Sequence, residues 1–121
     1  MLLINDPRCV LLAGDAFVVL PSLPDNFCGL VCSDSPYGER THAKYAKERR
    51  ADGAAPRVEL TFKHLTKAQV EFLAAQYVRL SQGWIIAFTD DRSIGWWGDA
   101  IVEADSTFPA PRRTHSRAGT R

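Results

Sequence analysis

The chain has 121 residues, 45% hydrophobic and 24% charged, with a formal net charge of +1. That length holds one compact domain and little more, and the near-neutral balance provides no global field for nucleic acid, so any DNA contact has to come from a local patch. No apolar stretch reaches the roughly 20 residues of a membrane helix, and the opening Met1–Ile4 before Asn5-Asp6-Pro7 is too short for a secretory signal; a cytoplasmic protein with no membrane partner is expected.

Cys9 to Ala13 is a continuous apolar run, as in a strand buried on both faces. Gly14-Asp15 break it, and Asp15 is placed to cap a short helix running through Leu20. Pro21 and Pro24 stop that helix, and Pro24-Asp25-Asn26 is turn chemistry. A second buried strand is predicted from Phe27 to Ser33, ending at Asp34-Ser35-Pro36-Tyr37-Gly38, with a spacing that suits a crossover between parallel strands. Cys28 and Cys32 fall on it about 13 Å apart, too far to bridge. They are expected as small buried hydrophobes on one face with Leu30. Three cysteines without dense or paired spacing predict neither a disulfide framework nor a zinc site.

Gly38 to about Pro56 has no apolar period. Arg40, Lys44, Lys47, Arg49 and Arg50 outnumber Glu39, Glu48 and Asp52, which predicts a mobile, mostly basic loop. Such a run is commonly just solvated; the alternative is contact with a DNA backbone. Thr66 with Gln69 forms a capping box, and Val70, Leu73, Ala74, Tyr77 and Val78 recur at helical spacing, with Gln82-Gly83 as the stop. Trp84 to Thr89 predicts a third buried strand, ending in Asp90-Asp91. Ile94, Trp97, Ile101 and Ala104 form one stripe of a further helix, which Gly95 and Gly98 weaken. Of Trp96 and Trp97, one is expected in the core and one on the surface. The order β-α-β, loop, α-β-α predicts an open α/β sheet covered on both sides. After Asp105 the pattern collapses, so residues 1–105 are the expected domain. Residues 106–121 are either a disordered tail or the product of a shifted reading frame.

Ligands of open α/β sheets bind at the carboxyl ends of strands, where Asp15, Asp34 and the Asp90-Asp91 pair stand. Asp34-Ser35-Pro36-Tyr37 resembles the Asp-Pro-Pro-Tyr motif of the S-adenosylmethionine-dependent DNA methyltransferases, of the β-type motif order, that act on adenine N6 or cytosine N4. Gly14-Asp15-Ala16 through Leu20, Leu23-Pro24-Asp25-Asn26 and the apolar strand into the motif also follow that family. Thr41-His42 with the basic loop, the Leu65-Thr66 helix and the Trp84-to-Asp91 strand are similar to a bacterial and phage branch of it. The likeness spans roughly residues 8 to 105, and the ordered series is more specific than the tetrapeptide alone.

The resemblance implies an α/β fold of the Rossmann-like S-adenosylmethionine-dependent methyltransferase type, a three-layer α-β-α sheet here lacking its C-terminal half. It also implies a chemistry. An exocyclic amine conjugated to a base ring is a poor nucleophile because its lone pair is delocalised. Two acceptors that each take one N–H draw the nitrogen toward a tetrahedral shape and free the lone pair. By resemblance these are the Asp34 carboxylate and the Ser35 carbonyl, with Pro36 completing the turn and Tyr37 stacking on a flipped-out base. The methyl group then needs only alignment. Asp34 would also border the cofactor, and Asp15 would accept from the adenine amine of S-adenosylmethionine. Asp15 can equally be only a helix cap, and residues 34–37 only a strand-ending turn.

Position 35 departs from the family, which carries proline or sometimes isoleucine there. Serine keeps the carbonyl but loses proline's fixed φ, although Pro36 still biases it toward an extended conformation, so a looser site is expected. The family's Gly-rich cofactor motif, near Phe-x-Gly-x-Gly, follows the tetrapeptide strand; nothing after Tyr37 matches it, since Gly95, Gly98 and Gly119 lack the spacing. The family's sheet places two further strands between those at Cys9–Ala13 and Phe27–Ser33, so a gap with free apolar edges is expected, and with it poor solubility or a loosened fold. The implied function is site-specific amino-methylation of DNA, with Asp34 leaning toward adenine, by a chain inactive alone unless a second chain supplies the missing half. The alternatives are a non-catalytic DNA- or partner-binding remnant, or an unrelated nucleotide-binding α/β protein.

Overall fold

A computed structural model of the protein describes residues 2–38 and 63–107. The first strand expected from the sequence starts at Cys9, yet Leu2–Asp6 (β1) precedes it and pairs antiparallel with Cys9–Leu12 (β2). Asp6 Oδ1 accepts the Arg8 amide at 2.9 Å and so closes the tight turn at Pro7-Arg8. This hairpin corrects the burial expected of β2. Its partner is β1 and not β3, and its residues are exposed throughout. No layer of described residues covers Val10, Leu11 or Leu12.

Asp15 starts α1 (Ala16–Ser22) as predicted: its Oδ1 accepts the Phe17 amide at 2.9 Å, and its carbonyl accepts those of Val18 and Val19. The helix runs two residues past Leu20 and contains Pro21. A proline this near the end removes one helical hydrogen bond and leaves the rest intact. Asn26 then adopts a left-handed conformation (φ 55°) and leads into β3 (Cys28–Asp34).

The second long helix, α2 (Lys67–Leu80), carries both halves of the predicted capping box. It buries the predicted stripe Val70, Leu73, Ala74, Tyr77 and Val78, together with Leu80. Gln82-Gly83 do not stop it. The helix ends at Leu80, and β4 (Ser81–Phe88) begins at the next residue, where extended Ser81 donates its N–H to the Tyr77 carbonyl. Gln82-Gly83 instead form a bulge: Cys28 faces Ser81 while Leu30 faces Trp84, so β4 carries an extra residue. Glycine at 83 is required by close approach, since a Cβ there would lie 2.6 Å from the Gly29 carbonyl oxygen.

β3 and β4 form a two-stranded parallel sheet, and β4 leads to α3 (Ile94–Thr107). In α3, Trp97 and Ala100 are buried while Ile94 is 47% exposed, so the buried stripe is rotated from the predicted one. Trp97 (4% exposed) is the core tryptophan and Trp96 (37%) the surface one. Helix α3 extends through Thr107, two residues beyond the expected boundary; the remainder of the predicted tail lies outside the described residues.

Leu65, Val70, Leu73, Ala74, Tyr77, Trp97 and Ala100 make the core, with Phe17, Val31, Ile85 and Ala87 packed against it. The helices therefore cover one face of the sheet. On the other, Leu30 (50%), Trp84 (60%), Ile86 (44%) and Phe88 (54%) are exposed, and so is Cys32. The expected two-sided burial of these strands, and of Cys32 with Leu30, is corrected: strand alternation sends every second residue to a face without a layer among the described residues, while Cys28 is half-buried with its thiol against the Leu80 carbonyl. The three cysteines are free. The whole is a small mixed α/β arrangement, and no described helix is long and apolar enough to cross a membrane.

Candidate functional site at the carboxyl end of the parallel sheet

Parallel strands bring their carboxyl ends to one edge. Asp34, the last residue of β3, pairs in register with Phe88, the last of β4. The tetrapeptide Asp34-Ser35-Pro36-Tyr37 thus leaves the sheet beside the segment that carries Asp90. Asp34 is exposed and falls at an open-face position of the alternation, two residues from Cys32. Ser33 and Ser35 fall at the positions facing the helices, and both are partly buried.

These two serines meet Tyr77 of α2. Ser33 Oγ lies 2.7 Å from Tyr77 Oη and 2.7 Å from Ser35 Oγ, and Ser35 Oγ lies 3.3 Å from Tyr77 Oη. Each hydroxyl can donate once and accept once, so a three-membered ring satisfies all three. Tyr77 is 6% exposed, and its ring stacks on Trp97 with centroids 5.6 Å apart and planes 9° apart. The phenol is therefore held from both sides: its ring by α3, its hydroxyl by the strand end.

Downstream of Tyr37, the Gly38 amide donates to Asp90 Oδ2 at 2.8 Å, while Asp90 Oδ1 accepts the Ser93 amide at 2.8 Å. The Asp90 carbonyl accepts the Ile94 amide, which opens α3. One aspartate so ties the end of the tetrapeptide to the first turn of a helix. A Cβ on Gly38 would stand 3.0 Å from Ser93 Oγ and 3.1 Å from Asp90 Oδ2, a tight contact that either side chain would have to relieve by a small shift.

Of the residues expected at the site, Asp34, Ser35, Pro36 and Tyr37 stand together at the sheet edge because they are contiguous. Asp15 caps α1, and no hydrogen bond joins it to residues 34–38 among the described residues. Arg40, Lys44, Lys47, Arg49 and Arg50 lie outside the described residues. Asp90, one of the expected strand-end acids, joins the site through the Gly38 amide. Two further contributors carry no site signal in the sequence pattern: Ser33 ends an apolar strand and Tyr77 lies on a core stripe. The Tyr77 hydroxyl is the available signal, since a buried phenol needs a partner.

No protein-family model, curated protein or solved structure matches the chain.

Proposed function

We propose that the chain belongs to a DNA methyltransferase that transfers the methyl group of S-adenosylmethionine to an exocyclic amine of adenine or cytosine, and that it supplies the base-holding part of that site. One observation carries this reading: Asp34-Ser35-Pro36-Tyr37 stands at the carboxyl end of β3, level with the end of parallel β4, where open α/β sheets bind ligands. The exposed Asp34 carboxylate can accept one N–H of a flipped base and the Ser35 carbonyl the other, with Tyr37 as the stacking surface. Asp34 favours adenine as the target.

The fit to the cofactor is partial. Asp15 Oδ1 is engaged by the Phe17 amide, and its second oxygen is available to an adenine amine. No Phe-x-Gly-x-Gly sequence is present to hold the rest of the molecule, so the proposed chain binds a base but needs a further polypeptide segment to transfer a methyl group. That segment could be a second chain. A non-catalytic DNA-binding remnant is the competing reading, favoured by the same missing motif.

Two measurements test the proposal. Duplexes with 2-aminopurine at the target position should brighten on binding as the base unstacks, and Asp34→Ala with Tyr37→Ala should remove the response. Co-expression with the polypeptides encoded downstream, in each frame, should yield methyl transfer to DNA that depends on Asp34. Absence of both responses sinks the methyltransferase reading; base binding without transfer in any combination favours the remnant.

A further inference from the structure

We infer that Tyr77 is a positioning residue for the tetrapeptide, holding Ser35 through its side chain where a proline would hold that position through its ring. The proline of an Asp-Pro-Pro-Tyr turn fixes φ covalently. Serine at 35 has no such restraint, and the backbone at that residue carries the carbonyl proposed as the second acceptor. The hydroxyl is what serine adds. It lies 2.7 Å from Ser33 Oγ and 3.3 Å from Tyr77 Oη, both on elements that pack into the core. Tyr77 itself is 6% exposed and stacked on Trp97. A side chain pinned at its tip to a rigid neighbour loses its rotamer freedom, and its backbone loses much of its own. The looser turn expected from sequence is thereby tightened from a helix 42 residues away.

The inference makes serine at 35 and tyrosine at 77 a matched pair. Tyrosine is dispensable where residue 35 is proline, and its hydroxyl is needed where residue 35 is serine. Only the consequence for base binding rests on the methyltransferase reading; the hold on Ser35 does not.

The test uses the full chain with Tyr77→Phe, Ser35→Pro and the double variant. Phenylalanine keeps the ring stacked on Trp97, so the fold is retained. Amide exchange at Gly38, whose N–H donates to Asp90 Oδ2 at the end of the turn, followed by NMR, reports its order. Tyr77→Phe should speed it about tenfold, the worth of roughly one hydrogen bond, while amides within α2 hold their rates. Ser35→Pro in the Tyr77→Phe background should restore the slow rate. 2-Aminopurine brightening should follow the same order: weakened by Tyr77→Phe, recovered in the double variant. An unchanged Gly38 rate in Tyr77→Phe overturns the inference. So does acceleration spread evenly over the chain, or a double variant no better than Tyr77→Phe, because a merely structural tyrosine would not be rescued by proline at 35. Exchange rates that follow the expected order, with neither a 2-aminopurine response nor methyl transfer from the unaltered chain, uphold the hold on Ser35 and reject the methyltransferase reading alone.

Discussion

The Asp90 carboxylate reaches 52 positions back along the chain to take the Gly38 amide at 2.8 Å, and with its other oxygen takes the Ser93 amide. It is the clasp between the turn that leaves β3 and the helix that follows β4. Asp90→Ala is expected to cost about 2 kcal/mol of stability, since both bonds run to a charged acceptor in a partly buried setting. Urea unfolding would measure it. Asp90→Asn keeps one acceptor and should lose about half as much; a loss near zero would mean that only one of the two bonds contributes, since the amide can turn its oxygen to that one.

Arg79 gathers the loop between α1 and β3. Its guanidinium donates to the Leu20 and Leu23 carbonyls at 2.8 and 2.7 Å, to Gln76, and to Asp25 Oδ1 at 2.7 Å. The carbonyls outweigh the ion pair, because the Asp25 side chain is 63% exposed and exposed pairs contribute about 1 kcal/mol or less. Arg79→Met should therefore destabilise by about 2–3 kcal/mol, from the loss of charged hydrogen bonds to carbonyls near a helix end. Asp25→Asn should change the urea midpoint only slightly. A larger effect from Asp25→Asn than from Arg79→Met would reverse this ranking.

Gly83→Ala places a Cβ 2.6 Å from the Gly29 carbonyl oxygen, backbone against backbone. Neither side can rotate away, so the bulge has to shift, at about 1–3 kcal/mol. Gly29→Ala meets nothing within 4 Å and serves as the control. Thermal unfolding of the two variants should separate them by several degrees in Tm.

The open face of the β3–β4 sheet should drive self-association. Leu30, Trp84, Ile86 and Phe88 form a contiguous apolar surface on a short parallel pair whose strands each have a free edge among the described residues. Sedimentation velocity at micromolar concentration is expected to show species larger than a monomer. Leu30→Thr with Trp84→Thr, which keeps strand propensity, should shift the distribution toward monomer. A sharp monomer peak from the unaltered chain would argue against it.

Local rules read from the sequence succeeded where the physics is local. Asp15 and Thr66 cap helices because a short acceptor at that position meets amides two or three residues on, and the stripe from Val70 to Val78 is buried because helical period alone places it. Failures cluster where a partner decides. The apolar runs of β2, β3 and β4 look identical to strands buried on both faces, yet burial depends on a second layer that no pattern within a strand specifies. The Gln82-Gly83 pair carries a stop signal for a helix that also suits a bulge, and Ser81, 0% exposed, settled the matter by turning extended one residue earlier. At the site, the tetrapeptide was legible because its residues are contiguous. The hydroxyl ring and the Asp90 clasp join residues 42 to 52 apart, beyond any spacing rule.

The alternation at the end of β3 has one more consequence. Ser33 and Ser35 turn toward the helices, which leaves Asp34 on the same side as Leu30 and Cys32, about 7 Å along the strand from the latter. Any molecule that settles on the bare face of the sheet becomes a neighbour of that carboxylate. Where two such occupants touch, their binding equilibria are linked, and each changes the other's dissociation constant by one common factor.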